Sequence, residues 1–240
     1  ALELSEQVIR TGQAMLHRSP DAPSRLGVPL ATHKGIIGAL LVKSSLGEER
    51  YTEEHQELLQ YVSTLVAAAI ERKQLHARLQ YLAQYDPLTQ LFNRESLYER
   101  LDRALAKARR EYGFVGVLYV DLDHFKQIND KYGHGIGDCL LQQIAKRMKH
   151  CVRESDTVAR MSGDEFVVVL DNLKHPDHAQ IVSEKIRQNL SQPLLIEGHT
   201  LHVLPSIGVA VYPENGEVAQ QLLHHADTVM YSVKKSGRAV

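Results

Sequence analysis

Four carboxylates stand where the chain can gather them. Asp121 and Asp123 close the run "FVGVLYVDLD", and their two-residue spacing starts both on one side of a strand. Asp164 and Glu165 follow a turn in "RMSGDEFVVVL" and lead straight into a second apolar run. If "VLYVD" and "EFVVVL" pair in one sheet, Asp121 and Asp164 converge on one ion. Carboxylates at a strand end suit magnesium, which takes one or two of them and completes its shell with water and phosphate oxygens. An isolated DxD is more often an ordinary polar strand terminus. Two acidic clusters beside a nucleoside triphosphate are the equipment of metal-assisted phosphoryl or nucleotidyl transfer.

The elements that must position these residues can be read from periodicity and punctuation. Short strands are expected at Arg25 to Pro29 and Ile36 to Lys43. A stretch of about thirty residues without glycine or proline follows, with Thr52 as N-cap, Glu53 and Glu54 at the positive end of the dipole, and Leu58, Val62, Leu65, Val66, Ala69 and Ile70 as its apolar stripe. Leu75, Leu79 and Leu82 continue a seam through its charged second half, which reads as a stalk whose seam can pair with a second copy, or as a surface helix on its own domain. Beyond Pro87, helices are expected at Arg94 to Glu111, Phe125 to Tyr132, Gly137 to Val152, Asp177 to Leu190 and Glu217 to Lys235. Strands are expected at Phe114 to Asp121, Thr157 to Met161 and Glu165 to Leu170, with a hairpin across "PLLIEGHTLHVLPSIGVAVYP". This order predicts an α+β fold, a mostly antiparallel sheet with helices on its faces.

Composition excludes several classes. The 240 residues carry a net charge of −1, so no global basic field recruits a nucleic-acid polymer or an anionic membrane. The longest nearly apolar run, "YVSTLVAAAI", is about half of what a bilayer demands. Cys139 and Cys151 form no CxxC pattern, so a reducing cytoplasm is the expected compartment, with a tether elsewhere in a longer chain left open. His199, His202, His224 and His225 match no zinc spacing and read as solvated histidines. The glycine-rich "YGHGIGD" lacks the spacing of a dinucleotide-binding loop.

The segments "DPLTQLFNR", "VDLDHFKQINDKYGHGIGDCLL", "RMSGDEF", "SIGVAVYP" and "ADTVMYSVKKSGR" together resemble, in order and spacing, the blocks of a GGDEF domain of the diguanylate cyclase family. The resemblance runs over residues 82–240. It implies a nucleotide-cyclase-like antiparallel sheet flanked by helices, and the condensation of two GTP into cyclic di-GMP by an antiparallel pair of domains. By motif position it implies that Asp121, the carbonyl of Leu122 and Asp164 bind Mg2+ or Mn2+, and that Asp164 or Glu165 assists deprotonation of the attacking 3′-hydroxyl. It also assigns guanine to Asn129 and Asp138 with His134 nearby, phosphates to the main chain of His124, Phe125 and Lys126, and the rest of the triphosphate clamp to Lys234 and Arg238. "RESD", with Arg153 and Asp156, matches the family's RxxD product-inhibition site; without the family it is an Arg–Asp pair in a loop.

Residues 1–73 resemble the second half of a GAF sensor domain, joined through a long helix over 52–85. Half a sheet leaves an open edge, which predicts a homodimer through this region and the stalk. The last block ends at the C-terminus, and such domains often continue into an EAL phosphodiesterase, so a longer parent chain is expected. An active cyclase is the leading expectation. A catalytically silent module that binds GTP or cyclic di-GMP to regulate a neighbour is the alternative, and a scaffold without nucleotide is a third. Two residues depart from the family pattern, Gln90 and Ser162, each where glycine is usual. Gly163 can supply the one positive φ that the turn needs, so Ser162 is expected to be tolerated.

Overall fold

Glycine-punctuated apolar runs early in the chain form a three-stranded antiparallel sheet, order β1-β2-β3, preceded by helix α1 (Leu2–Thr11). The strands are β1 (Met15–His17), β2 (Arg25–Thr32) and β3 (Gly35–Lys43). β2 runs past the expected Pro29 because the chain reverses only at Thr32, whose hydroxyl donates to the Gly35 carbonyl (3.0 Å) and accepts from Lys34 N–H (3.2 Å). Leu26 and Val28 of β2 and Val8 of α1 are fully buried. The computed structural model describes residues 2–17, 23–44 and 51–236, and the chain divides into two units, residues 1–80 and 81–240.

Helix α2 (Glu53–Gln84) opens on a reciprocal cap: Thr52 Oγ1 accepts from the His55 N–H (3.4 Å), and His55 Nδ1 accepts from the Thr52 N–H (3.0 Å). Its buried residues are Ser63 and Ala67. This corrects the expected stripe: Val66 and Ile70 are half-buried, but Leu58 and Leu65 are exposed at 63% and 54%. The helix is apolar on more than one side here, so periodicity alone could not choose the inward face. The outward positions 58, 61, 65, 68, 72, 75, 79 and 82 recur at alternating steps of three and four, a heptad seam occupied by leucines, Tyr61, Ala68 and Arg72.

In the second unit an antiparallel four-stranded sheet, order β5-β6-β4-β9, lies between two helical layers. Its elements are α3 (Arg94–Glu111), β4 (Phe114–Leu122), α4 (Phe125–Tyr132), α5 (His134–Cys151), β5 (Thr157–Ser162), β6 (Glu165–Leu173), α6 (Asp177–Leu190), β7 (Leu194–Ile196), β8 (His199–Leu201), β9 (Pro205–Tyr212) and α7 (Ala219–Ser236). β4 alternates: Leu118, Val120 and Leu122 pack with α5 and α6, whereas Val115 and Val117 pack with α3 and α7. The α+β expectation therefore holds for this unit.

One expectation needs correction. The hairpin read across residues 193–213 is confined to β7 and β8, while β9 crosses over to pair with β4, Val120 opposite Ile207. Gly208 shows what holds it there. A Cβ at this position would lie 2.0 Å from the Ala226 carbonyl oxygen and 2.3 Å from the Met230 nitrogen, so only glycine lets α7 rest directly on β9. That close approach sets where α7 delivers Lys234.

The entry to this unit is tied down on several sides. Asn93 caps α3 by accepting from the Ser96 N–H (2.9 Å), and its Nδ2 donates back to the Ala83 carbonyl (2.9 Å). Tyr85 stacks between Tyr81 and Phe92, with ring centroids 4.8 and 4.9 Å away, and Arg100 lies 3.7 Å over the Phe92 ring. No helix among the described residues is long and apolar enough to cross a membrane.

Candidate active site

The central pairing of β4 with β6 sets Asp121 opposite Glu165, with Val120 opposite Phe166, so the two acidic segments meet at one end of the sheet as the alternation of the runs implied. Asp121 is buried (7% exposed), and its carboxylate is paired with the Lys234 ammonium delivered by α7. Asp164 lies in the turn between β5 and β6. Burial, reinforced by the nearby Asp121 charge, pushes its carboxyl above the usual carboxylate range, against the opposing pull of its own backbone N–H and of Lys234. Asp123 lies just past β4, where the Ser206 hydroxyl donates to its carboxylate (3.0 Å).

The signature turn resolves the question of Ser162. Gly163 carries the positive φ (43°), and Ser162 ends β5 in an ordinary conformation. Its hydroxyl donates to Glu165 Oε2 (2.9 Å), and the Tyr119 hydroxyl donates to the same oxygen (3.2 Å). Burial, followed by the Glu165 and Asp227 charges, holds the Tyr119 phenol well above its ordinary range, so it remains a donor. Beside this network opens a small cleft of about 220 Å³, lined by Arg94, Tyr98, Tyr119, Glu165, His224 and Asp227 among others. Sequence reasoning missed Tyr119; its place two residues before Asp121 on the same face of β4 was the available signal.

Arg160 is a second residue missed. Its Nε donates to the Gly163 carbonyl (2.9 Å) and its Nη1 to both Asp86 oxygens (3.1 and 3.3 Å), linking the turn to the start of "DPLTQLFNR". Burial alone would raise the Asp86 carboxyl, but donors from the Thr89 hydroxyl and N–H and from Arg160 outweigh it and hold it below its usual range. Gln90, in the same loop, adopts φ 57°.

At the opposite side of this strand end, His124 takes a left-handed φ of 62° and starts α4 with no side-chain cap, leaving the first N–H groups of the helix open. Asn129 of α4 and Asp138 of α5 belong to helices that pack on each other, and His134 is exposed in the first turn of α5. The Asn129 Oδ1 is buried without a hydrogen-bond partner. Arg238 lies outside the described residues. Arg153 is exposed, and Asp156 does not pair with its guanidinium: the carboxylate accepts from the Arg153 N–H (2.9 Å) and the Asp171 N–H (3.3 Å). The two residues of "RESD" are thus joined in their loop through the Arg153 main chain.

The donor set at the sheet end fits a hard divalent cation. It consists of carboxylates and main-chain carbonyls, and the mutual crowding that raises Asp164 is what an added dication reverses. Among the described residues no three His, Cys, Asp or Glu side chains group so as to enclose a metal ion.

Residues 83–239 match the family described as diguanylate cyclase, GGDEF domain. The bifunctional diguanylate cyclase/cyclic di-GMP phosphodiesterase MucR of Pseudomonas aeruginosa is 43% identical over 157 residues, 65% of this chain but 23% of MucR. The solved structure of an N-terminally truncated TpbB from the same organism, comprising only its GGDEF domain, is 40% identical with a TM-score of 0.62, covering 63% of this chain and 89% of that one. The coiled coil and GGDEF domain of DgcB from Caulobacter crescentus, in complex with c-di-GMP, is 26% identical with a TM-score of 0.63, covering 75% and 95%. The chain thus spans about a quarter of the length of the curated relatives it matches first, 23% and 26% of two of them. The family match over residues 83–239 spans well over half of the chain, and this chain belongs to the GGDEF family of diguanylate cyclases.

Proposed function

We propose that this chain condenses two GTP into cyclic di-GMP and two pyrophosphates, with two catalytic domains facing each other. The observation that carries the reading is the convergence of Asp121, Asp164 and Glu165 at one sheet end beside an uncapped helix start and the Lys234 ammonium. Asp121, the Leu122 carbonyl and Asp164 hold Mg2+ or Mn2+. When bound, the cation offsets charge on the α-phosphate. Glu165 or Asp164 takes the proton of the attacking 3′-hydroxyl, which displaces pyrophosphate from the α-phosphorus of the opposing GTP. The open N–H groups at His124, Phe125 and Lys126 hold phosphate oxygens, and Lys234 moves from Asp121 to the triphosphate, with Arg238 completing the clamp. Asp138 accepts the guanine N–H groups, and Asn129 reads the adjoining edge, with His134 beside them.

Each GTP brings one nucleophile and one electrophile, so turnover needs a pair of chains. The exposed heptad seam of α2 offers the means, and a parallel coiled coil along it makes this helix a stalk beneath a partial GAF-like sensor with an open sheet edge. Arg153, left free by Asp156, supports product binding at an RxxD site with feedback inhibition. A parent protein with an EAL phosphodiesterase domain and a cytoplasmic location complete the reading.

A second reading, a silent regulatory module, draws on Lys234: an ammonium on Asp121 competes with a metal for that carboxylate. Incubation with GTP and Mg2+, followed by separation of the nucleotides, decides between them. Cyclic di-GMP formed by the dimeric chain and lost in Asp164→Ala supports the cyclase. GTP binding without product supports the module, and binding of neither nucleotide defeats both.

A further inference from the structure

We propose that Gly137 is a positioning residue for guanine selection, its missing side chain being the slot that seats the Asn129 amide. The inference rests on the reading of Asn129 as a contact to the base edge. Gly137 belongs to the first turns of α5, is buried, and donates its N–H to the Gly133 carbonyl (3.3 Å). It does not adopt a positive φ. In such a place alanine is favoured over glycine, so backbone conformation gives no reason for the residue.

Space gives the reason. A Cβ at position 137 would lie 1.8 Å from Asn129 Oδ1 and 3.0 Å from its Cγ. The same Cβ would stand 3.4 Å from Phe125 Cζ, so the buried ring leaves no slack on that side. The amide therefore fills the volume that an alanine methyl would take. Its Oδ1 is buried with no donor, so no hydrogen bond fixes that end and the shape of the slot does. The backbone is fixed separately, since the Asn129 carbonyl accepts from the Gly133 N–H (2.8 Å) at the end of α4. A methyl at 137 must displace the amide by more than about 1 Å, a misplacement that spoils matching to a planar base edge. Gly135 is the internal contrast: a Cβ there meets nothing within 4 Å.

The test is calorimetric binding of α,β-methylene GTP and α,β-methylene ATP in Mg2+, which keeps the α-phosphate from reacting. The wild type binds the guanine analogue at least tenfold tighter. Gly137→Ala weakens the guanine analogue about tenfold and leaves the adenine analogue within twofold, whereas Gly135→Ala changes neither. In an Asn129→Ala background the Gly137→Ala change adds less than twofold, because the group it displaces is gone. If Gly137→Ala alone does not fold, Gly137→Ala with Asn129→Ala does, and failure of that pair to fold overturns the inference. A wild type without preference for guanine removes the underlying reading of Asn129 and the inference with it. A guanine preference that survives Gly137→Ala overturns the inference alone.

Discussion

Ser162→Gly restores the residue usual at this signature position, yet under the proposed cyclase reading the geometry expects it to slow turnover. Glu165 Oε2 accepts two hydroxyl hydrogens, from Ser162 at 2.9 Å and Tyr119 at 3.2 Å, and Ser162 supplies the shorter. A hydrogen bond to a charged acceptor contributes about 1.5–3 kcal/mol when sheltered, and roughly 1 kcal/mol is reasonable for a side chain as exposed as Ser162. Spent on orienting Glu165 in the transition state, 1 kcal/mol corresponds to about a fivefold loss in kcat. The KM for GTP should be unchanged, because Ser162 donates to Glu165 and is not among the residues proposed to bind guanine or phosphate. Product formation at saturating GTP and Mg2+, at matched dimer concentration, measures this, and Ser162→Thr should keep most of the rate. A Ser162→Gly enzyme as fast as the wild type, or faster, refutes the argument that the hydroxyl orients Glu165.

The other predictions concern the same sheet end and its anchors. Asp164→Asn should abolish turnover while modestly raising the Tm, since it removes a carboxylate that its surroundings hold above the usual range and that solvent partly screens. The sign follows: the stability from a protonated Asp164 is complete below about pH 4 and lost as pH rises through its raised pKa, so the gain from Asn should be present at pH 7 and absent at pH 3. Asp86 has the opposite sign, its stabilisation present above its ordinary pKa and lost as pH falls through the lowered one. Asp86→Asn should cost about 2 kcal/mol in urea unfolding at pH 7 and progressively less as the pH falls, because it removes the charge that pairs with Arg160 while the amide oxygen can still accept from Thr89. Gln90→Gly should stabilise by up to about 1 kcal/mol, since Gln90 holds φ 57°; an unchanged or lower midpoint counts against strain there. Paired Leu75→Lys and Leu79→Lys should abolish dimerisation in light scattering and with it most of the rate at micromolar chain, if the exposed seam is the dimer contact.

Patterned segments of the second unit were legible because alternation and turn residues agreed with the final packing. β4 and β6 were readable as unbroken apolar runs, and their pairing followed from the acidic residues each carried at one end. What the sequence could not reveal was choice among equivalent surfaces. α2 bears apolar side chains around much of its circumference, so its buried line through Ser63 and Ala67 was invisible until the sheet of its own unit was in place. The pairing of β9 with β4 likewise depends on a contact far along the chain, α7 against Gly208, which no local pattern announces. Among site residues, those with distinctive types and spacing were found, whereas Tyr119 and Arg160 were passed over as a strand aromatic and a strand-end charge. Their roles depend on partners forty-six and seventy-four positions away. The spacing of Arg153 and Asp156 is legible in the sequence, but the commitment of the Asp156 carboxylate to backbone donors is not.

The grip of Arg160 on both Asp86 and the Gly163 carbonyl has a consequence for building hybrids of this domain. The segment Tyr81–Arg94 behaves as a built-in adapter: its aromatic stack, the Asn93 cap and the Asp86 anchor are complete within the second unit. A new input module joined upstream of Tyr81 keeps all three. A junction placed after Asp86 strips the signature turn of its only ionic tether among the described residues, and such a chimera would fold around a loosened hairpin even with every acidic residue in place.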